Sequence, residues 1–170
     1  MLKIEQLKRK IHKRKQFQCG NSELDKYIAI FAGQDQEKKI AVPYVLVDEK
    51  LQVTGFYTLS NYSIYIKNCP EHLRKRLPQH PYLPAILIGK LTLKKEYQGR
   101  GWGKVLLMDA LKNCYKYSTA IAAYAVCVYA KDDSARKFYQ KYNFMELNDD
   151  PYHLFLPMNV IAKLPFHEHI

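Results

Sequence analysis

The chain has 170 residues, 48% of them hydrophobic and 13% aromatic, which suits one globular domain with a substantial core and excludes a disordered chain. No apolar run reaches the ~18 residues of a membrane span, and the first ten residues are charged throughout where a signal peptide needs an apolar stretch, so a cytoplasmic protein is expected. The net charge of +11 favours a polyanionic partner, nucleic acid foremost.

The positive charge is concentrated at Lys8, Arg9, Lys10, Lys13, Arg14 and Lys15, with Lys38 and Lys39 further on and a second group at Arg74, Lys75 and Arg76. Cys19, Cys69, Cys114 and Cys127 form no CxxC pair and no zinc pattern with the six histidines. They read as reduced, structural thiols, with Cys19 set apart by its place beside Gly20.

Residues 1–18 are basic with spaced apolar positions, an edge strand or short helix. Ser22-Glu23-Leu24-Asp25 has the form of a capping box, and Leu24, Tyr27, Ile28 and Phe31 recur at helical spacing, predicting a core-facing helix to about Glu37. Val42–Asp48 and Leu51–Ser60 are β-rich runs joined by Asp48-Glu49-Lys50, the second continuing or bending through Tyr62–Ile66. A short helix over Glu71–Leu77 precedes Pro78, Pro81 and Pro84, which hold an extended connection. Ala85–Leu93 reads as the central buried strand and Gly101–Lys116 as the helix after it. Ala120–Ala130 is a second apolar run too rich in Val, Tyr and Ala for an edge. Asp132, Asp133 and Ser134 offer caps for a helix over Ala135–Tyr142, Asn143 is its left-handed stop, and Tyr152–Met158 is a last strand. This order predicts an α/β protein (α+β in some schemes) with one mixed central sheet flanked by helices, a single domain over residues 1–170.

Between the central strand and its helix lies Gln98-Gly99-Arg100-Gly101-Trp102-Gly103. Unpaired amides, the positive end of a helix dipole and a guanidinium together suit a phosphate-rich anion. The alternating glycines miss the dinucleotide spacing G-x-G-x-x-G, and no GxxxxGK[ST] is present. By itself the turn is compatible with a phosphate nest of another kind or with a plain tight connection.

Five motifs in order resemble the GNAT acyltransferase superfamily, and more narrowly its toxin branch. Phe17-x-Cys19-Gly20-Asn21-x-x-Leu24-Asp25-x-Tyr27 resembles the branch's N-terminal signature. Tyr44-Val-Leu with Gly55-Phe-Tyr-Thr-Leu-Ser60 is similar to its hairpin, and Leu83-Pro84-Ala85 to the entry of its central strand. Gln98-x-x-Gly101-x-Gly103 is similar to the acetyl-CoA pyrophosphate motif. Ala130-x-Asp132-x-x-Ala135-x-x-Phe138-Tyr139, followed by Asn143-Phe144, resembles the last helix with its catalytic tyrosine. Two positions depart from the branch's pattern: Lys90 stands where an arginine is usual, keeping charge but losing the bidentate fork, and Asn143 where a glycine is usual.

The resemblance implies acetyl-CoA as cosubstrate and the α-amino group of aminoacyl-tRNA as acceptor, so that acetylation blocks translation. It also implies a homodimer and a ribbon-helix-helix antitoxin as partner. The pyrophosphate falls to the N–H groups from Gln98 to Gly103, namely Gln98, Gly99, Arg100, Gly101, Trp102 and Gly103, with Lys104 adding charge and Asp132 grouped with the cofactor-binding residues although its pattern is that of a helix cap. Backbone N–H groups over Leu91, Thr92 and Leu93 fall to the thioester carbonyl. Lys8, Arg9, Lys13, Arg14, Arg74, Lys75, Arg76 and Lys90 form the expected tRNA-binding set. Tyr139 is the implied general acid, although reference pKa values of about 10 for tyrosine and 8.5 for a thiol make full transfer to the thiolate uphill by roughly 2 kcal/mol.

No His, Glu or Asp beside these motifs offers itself as a base. An α-amine near pKa 7.8 is neutral in roughly a tenth to a fifth of molecules at pH 7, a lysine amine in about one in a few thousand. The lack of a strong base thus favours an α-amino acceptor. A small amine or protein N-terminus as acceptor, and a non-catalytic nucleic-acid or acyl-CoA binding module, remain open on the residues alone.

Overall fold

The computed structural model describes residues 1–166. Its strands form one seven-stranded sheet in the order β1-β2-β3-β4-β5-β7-β6. They are β1 (Lys3–Gln6), β2 (Val42–Val47), β3 (Val53–Tyr65), β4 (Tyr82–Leu93), β5 (Ala125–Tyr129), β6 (Met145–Leu147) and β7 (Asp150–Pro157). The sheet is mixed, because β1–β2, β2–β3, β5–β7 and β6–β7 pair antiparallel and β4–β5 pair parallel. Among the described residues no helix is long and apolar enough to cross a membrane.

The described residues fall into two compact units, Met1–Ser60 with Gly89–Ala110, and Asn61–Ile88 with residues 111–166. The first has a core of Leu7, Phe17, Tyr27, Ile28, Ala32, Val45, Val47, Val53 and Phe56. Phe56 anchors it, meeting Phe17 edge-on at 5.4 Å between ring centroids and Tyr27 stacked at 6.1 Å. The second is built on Ile64, Cys69, Leu83, Ala85, Ala125, Cys127, Leu147 and Phe155.

The first helical stretch runs from Ser22 to Glu37 as α1 (Ser22–Lys26), a π-helical segment Tyr27–Phe31, and α2 (Ala32–Glu37). The wider π turn advances the buried stripe by one position: Tyr27 and Ile28 are buried, but Phe31 is 41% exposed and Ala32 is fully buried in its stead. Simple helical spacing through Phe31 therefore fails at its last member. The cap also shifts. Asn21, not Ser22, accepts from the N–H groups of Glu23 and Leu24, at 3.0 and 3.2 Å. Asp25 reaches back to accept from the Cys19 N–H at 2.8 Å, closing the loop that holds Gly20 at φ +96°.

The other elements are α3 (Glu71–Arg74), α4 (Trp102–Ser118), α5 (Asp133–Lys141) and α6 (Met158–Ile161). β3 continues unbroken to Tyr65, β4 begins three residues before Ala85, and β6 and α6 are additions to the expected elements. Strand β5 lies between β4 and β7, inside the sheet as its composition required. Asn143 ends α5 at φ +70°, the left-handed conformation expected of it.

The N-cap carries a direct prediction. Asn21→Ala removes the acceptor for two amides and should lower stability by about 1 kcal/mol, measured by urea denaturation; an unchanged midpoint would contradict the cap assignment.

Candidate active site

The glycine turn belongs to the first unit and is held by its approach rather than by its own contacts. The Lys94 N–H donates to the Thr54 carbonyl at 2.8 Å and the Lys95 N–H to the Gln18 carbonyl at 2.9 Å. The two hydrogens of the Gln98 carboxamide go to the carbonyls of Cys19 and Leu93, both at 2.8 Å. Gln98 thus ties the N-terminal loop to the end of β4. Its own N–H donates to Lys95 at 3.2 Å, so Gln98 braces the turn and the amides open to an anion begin at Gly99, one residue later than expected.

Among the described residues no backbone acceptor takes the N–H groups of Gly99, Arg100, Gly101, Trp102, Gly103 or Lys104; the first rung of α4 is Val105 to Gly101 at 3.4 Å. Six unpaired amides at a helix N-terminus form a nest for oxyanions. Gly99 and Gly101 have φ of +71° and +85°, and a Cβ built on either would meet nothing within 4 Å. These glycines are therefore required by backbone conformation, and the space above them is open. Arg100 and Lys104 are exposed, while Trp102 is partly covered. The arrangement fits a pyrophosphate.

Leu91, Thr92 and Leu93 close β4, with Thr92 and Leu93 buried. Gly55 gives this segment its clearance: a Cβ there would lie 2.7 Å from Leu93 Cδ2 and 3.2 Å from the Thr92 carbonyl oxygen. The ladder between β4 and β5 extends from Ala85–Ala125 to Ile88–Val128, so Leu91 to Leu93 lie beyond its last rung.

Tyr139 belongs to the second unit, on α5. It is 7% exposed, with its ring edge-on to Phe138 at 5.2 Å and to Phe144 at 5.3 Å between centroids. Burial pushes its phenol well above the ordinary tyrosine range, keeping it protonated. Among the described residues its hydroxyl makes no hydrogen bond, yet it is not a fully enclosed polar atom, so it retains an open side. Asp132 caps α5 by accepting from the Ala135 N–H at 2.7 Å, which accounts for it without a ligand.

The basic residues separate into different settings. Arg9, Lys13, Arg14, Lys15 and Lys94, with His12, line a cleft of about 520 Å³ that has no acidic residue in its wall. Within it Arg14 donates to the Ile28 carbonyl at 3.1 Å and is half-buried, and that burial lowers its pKa from the usual arginine range. Arg9 is paired with Glu37 at 2.7 Å and lies across Gly33. Lys8 lies 3.7 Å from Glu5. Lys90 stands apart, its ammonium 4.1 Å from the centre of the Tyr27 ring, a cation–π contact that an arginine would also make. In the second unit Lys75 pairs with Glu71 at 3.5 Å, Arg74 donates to the Lys67 carbonyl at 3.4 Å, and Arg76 is exposed.

Cys19 is buried and its thiol is pushed up by burial and by the hydrogen bond to Asp25, so it is a packing residue and no nucleophile. A group that sequence reasoning missed is Tyr62, Tyr129, Asp149 and His153. These residues are scattered over ninety positions, and only the pairing of Tyr129 with His153 across β5 and β7 brings them together.

An open amide nest after the central strand is a site suited to the pyrophosphate of a nucleotide-bearing cosubstrate such as an acyl-CoA. Residues 84–160 match the model described as Acetyltransferase (GNAT) domain, a domain that uses acetyl-CoA as cosubstrate. A tRNA-acetylating toxin of Mycobacterium tuberculosis is 36% identical over 107 residues, 63% of this chain and 63% of that relative. A probable toxin TacT of Sinorhizobium fredii is 28% identical over 169 residues, covering 95% of this chain and 93% of the relative. The solved structure of AtaT complexed with acetyl-methionyl-tRNAfMet superposes with a TM-score of 0.89 at 25% identity, over 95% of this chain and 98% of that one.

The brace is testable. Gln98→Leu keeps bulk but leaves two carbonyls without their donor, and should weaken acetyl-CoA binding about tenfold, or ~1.4 kcal/mol, in isothermal titration. Unchanged affinity would show that the turn holds its shape without Gln98.

Proposed function

We propose that this protein is the toxin of a toxin–antitoxin pair and transfers an acetyl group from acetyl-CoA to the α-amino group of aminoacyl-tRNA in the cytoplasm. The observation that carries this reading is the pairing of an acetyl-CoA-type amide nest with a cleft lined by Arg9, Lys13, Arg14, Lys15 and Lys94 in a chain whose relatives carry tRNA acetylation in their names. A small amine needs no such cleft. The antitoxin is expected to be a ribbon-helix-helix protein and the toxin a homodimer, as in the branch the sequence resembles.

The thioester of acetyl-CoA supplies an activated acetyl group. The amides from Gly99 to Lys104, with the Arg100 guanidinium, hold the pyrophosphate and so fix the reach of the rest of the molecule. The end of β4, Leu91 to Leu93, presents backbone N–H to the carbonyl oxygen, where negative charge grows as nitrogen attacks carbon. Tyr139 donates its proton to the departing sulfur. Its raised pKa keeps the donating form but weakens it as an acid, so the proton moves in concert with C–S cleavage rather than ahead of it. The cationic cleft and the exposed lysines and arginines hold the phosphate backbone of the acceptor.

Three outcomes follow for the purified enzyme incubated with acetyl-CoA and total charged tRNA. Mass spectrometry should find N-acetylated aminoacyl-tRNA and a restricted set of amino acids. Tyr139→Phe should lower kcat by a factor of about 10² or more with acetyl-CoA affinity near normal. A Lys13→Glu, Lys15→Glu double variant should raise KM for tRNA and flatten its salt dependence. Acetylation of free amines or protein N-termini, with none of any aminoacyl-tRNA, would overturn the assignment.

A further inference from the structure

The second unit carries an exposed aromatic pair that none of the roles above uses. Strand β3 ends at Tyr65 and its neighbour β4 begins at Tyr82. The Ile66 N–H donates to the Pro81 carbonyl at 3.0 Å, which sets the two strand ends side by side. The tyrosine rings lie 5.5 Å apart between centroids with a 40° tilt. Both face outward: Tyr65 is 38% exposed and Tyr82 is 59% exposed. A tyrosine ring in such a place offers a partner a flat π face at a small cost in side-chain entropy.

The segment between the two tyrosines is strongly basic. Residues 66–81 contain Lys67, Arg74, Lys75 and Arg76 against a single acidic residue, Glu71, with His72 and His80 besides. Glu71 is engaged with Lys75 at 3.5 Å. Among the described residues no carboxylate pairs with Lys67, Arg74 or Arg76. Arg74 donates one N–H to the Lys67 carbonyl at 3.4 Å, which ties α3 to the turn just after Tyr65 and leaves its other hydrogens for an outside acceptor. The turn is itself anchored. Asn148 donates its backbone N–H to the Asn68 carbonyl at 2.7 Å and its carboxamide to the Cys69 carbonyl at 3.2 Å, and Cys69 is fully buried. Rings and cations are therefore held on one firm support.

This combination selects its occupant. An apolar partner would leave three cations without counter-charge, and a second copy of this chain, with its own charge of +11, would set cation against cation. A polyanion that also shows free planar rings satisfies both features, and the unpaired nucleotides of an RNA are of that kind. A base inside a paired helix has no free face to offer. We infer that Tyr82, backed by Tyr65, is a stacking platform for an unpaired base of the RNA acceptor, with Lys67, Arg74 and Arg76 on the adjoining phosphates. This inference rests on the aminoacyl-tRNA reading and adds to it a contact with a base, which positive charge alone does not supply.

The test measures equilibrium binding of deacylated tRNA, a single-stranded RNA and a blunt RNA duplex by fluorescence anisotropy over a range of salt. Wild type is compared with Tyr82→Leu, Tyr82→Phe and Arg76→Gln; position 82 is exposed at the start of its strand, so these changes spare the core. Tyr82→Leu keeps apolar bulk without a π face. It should weaken tRNA and single-strand binding about tenfold at every salt concentration and leave duplex binding unchanged. Tyr82→Phe keeps the ring and should bind as wild type does. Arg76→Gln should instead make the salt dependence of tRNA binding less steep, by about one phosphate contact. A Tyr82→Leu affinity for tRNA within twofold of wild type, or an equal loss on the duplex, would overturn the platform. So would a loss accompanied by a change of oligomeric state in sedimentation, the mark of a contact between copies. Wild-type protein that binds none of the three RNAs would overturn the platform and the tRNA reading together, whereas tRNA binding that ignores Tyr82→Leu overturns the platform alone.

Discussion

The carboxamide of Gln98 is the contact on which the rest of the first unit depends. With two hydrogens on one nitrogen it satisfies the carbonyl of Cys19, in a loop at the start of the chain, and that of Leu93, at the end of the central strand. A hydroxyl has one hydrogen to give, whereas the carboxamide nitrogen gives two and so serves both carbonyls. Because these carbonyls are covered by one side chain, the following backbone is free to turn with every amide from Gly99 to Lys104 outward. The nest is thus produced by an interaction outside it.

The same brace explains an N-terminal signature that local propensity does not. Cys19 donates its N–H to Asp25 while its carbonyl takes Gln98, Gly20 supplies the positive φ between them, and Asn21 caps the helix that follows. Tyr27 then stacks on Phe56 and lies under the Lys90 ammonium. Apart from Gly20, each named letter of that motif has a bond or a ring contact in the same unit. The lysine at position 90 loses the fork an arginine would offer, but the contact it makes here is with a ring face, for which the fork is unnecessary.

Much of this was legible in the sequence. The strand–glycine–helix pattern located the nest, Asn143 announced its left-handed stop, and the ordered motifs agree with the acetyltransferase domain matched over residues 84–160. What the sequence withheld has physical reasons. A π turn keeps helical composition but advances the buried stripe by a residue, so Phe31 could not be told from Ala32 by spacing. The difference between an open amide at Gly99 and an occupied one at Gln98 depends on a hydrogen bond within a tight turn. The Asp149–His153–Tyr62–Tyr129 chain joins residues from three strands and a loop, and no local pattern marks a group assembled only by sheet pairing.

The central claim is that the acceptor is the α-amine of an amino acid esterified to tRNA. It is tested most directly by following acetyl transfer from radiolabelled acetyl-CoA to tRNA in a single-turnover reaction, comparing charged tRNA with the same tRNA deacylated. The account predicts label that co-migrates with charged tRNA, is absent from the deacylated sample, and is released as an N-acetylamino acid on mild alkaline hydrolysis. Label on deacylated tRNA, or none on tRNA while acetyl-CoA is still consumed by another amine, would contradict it.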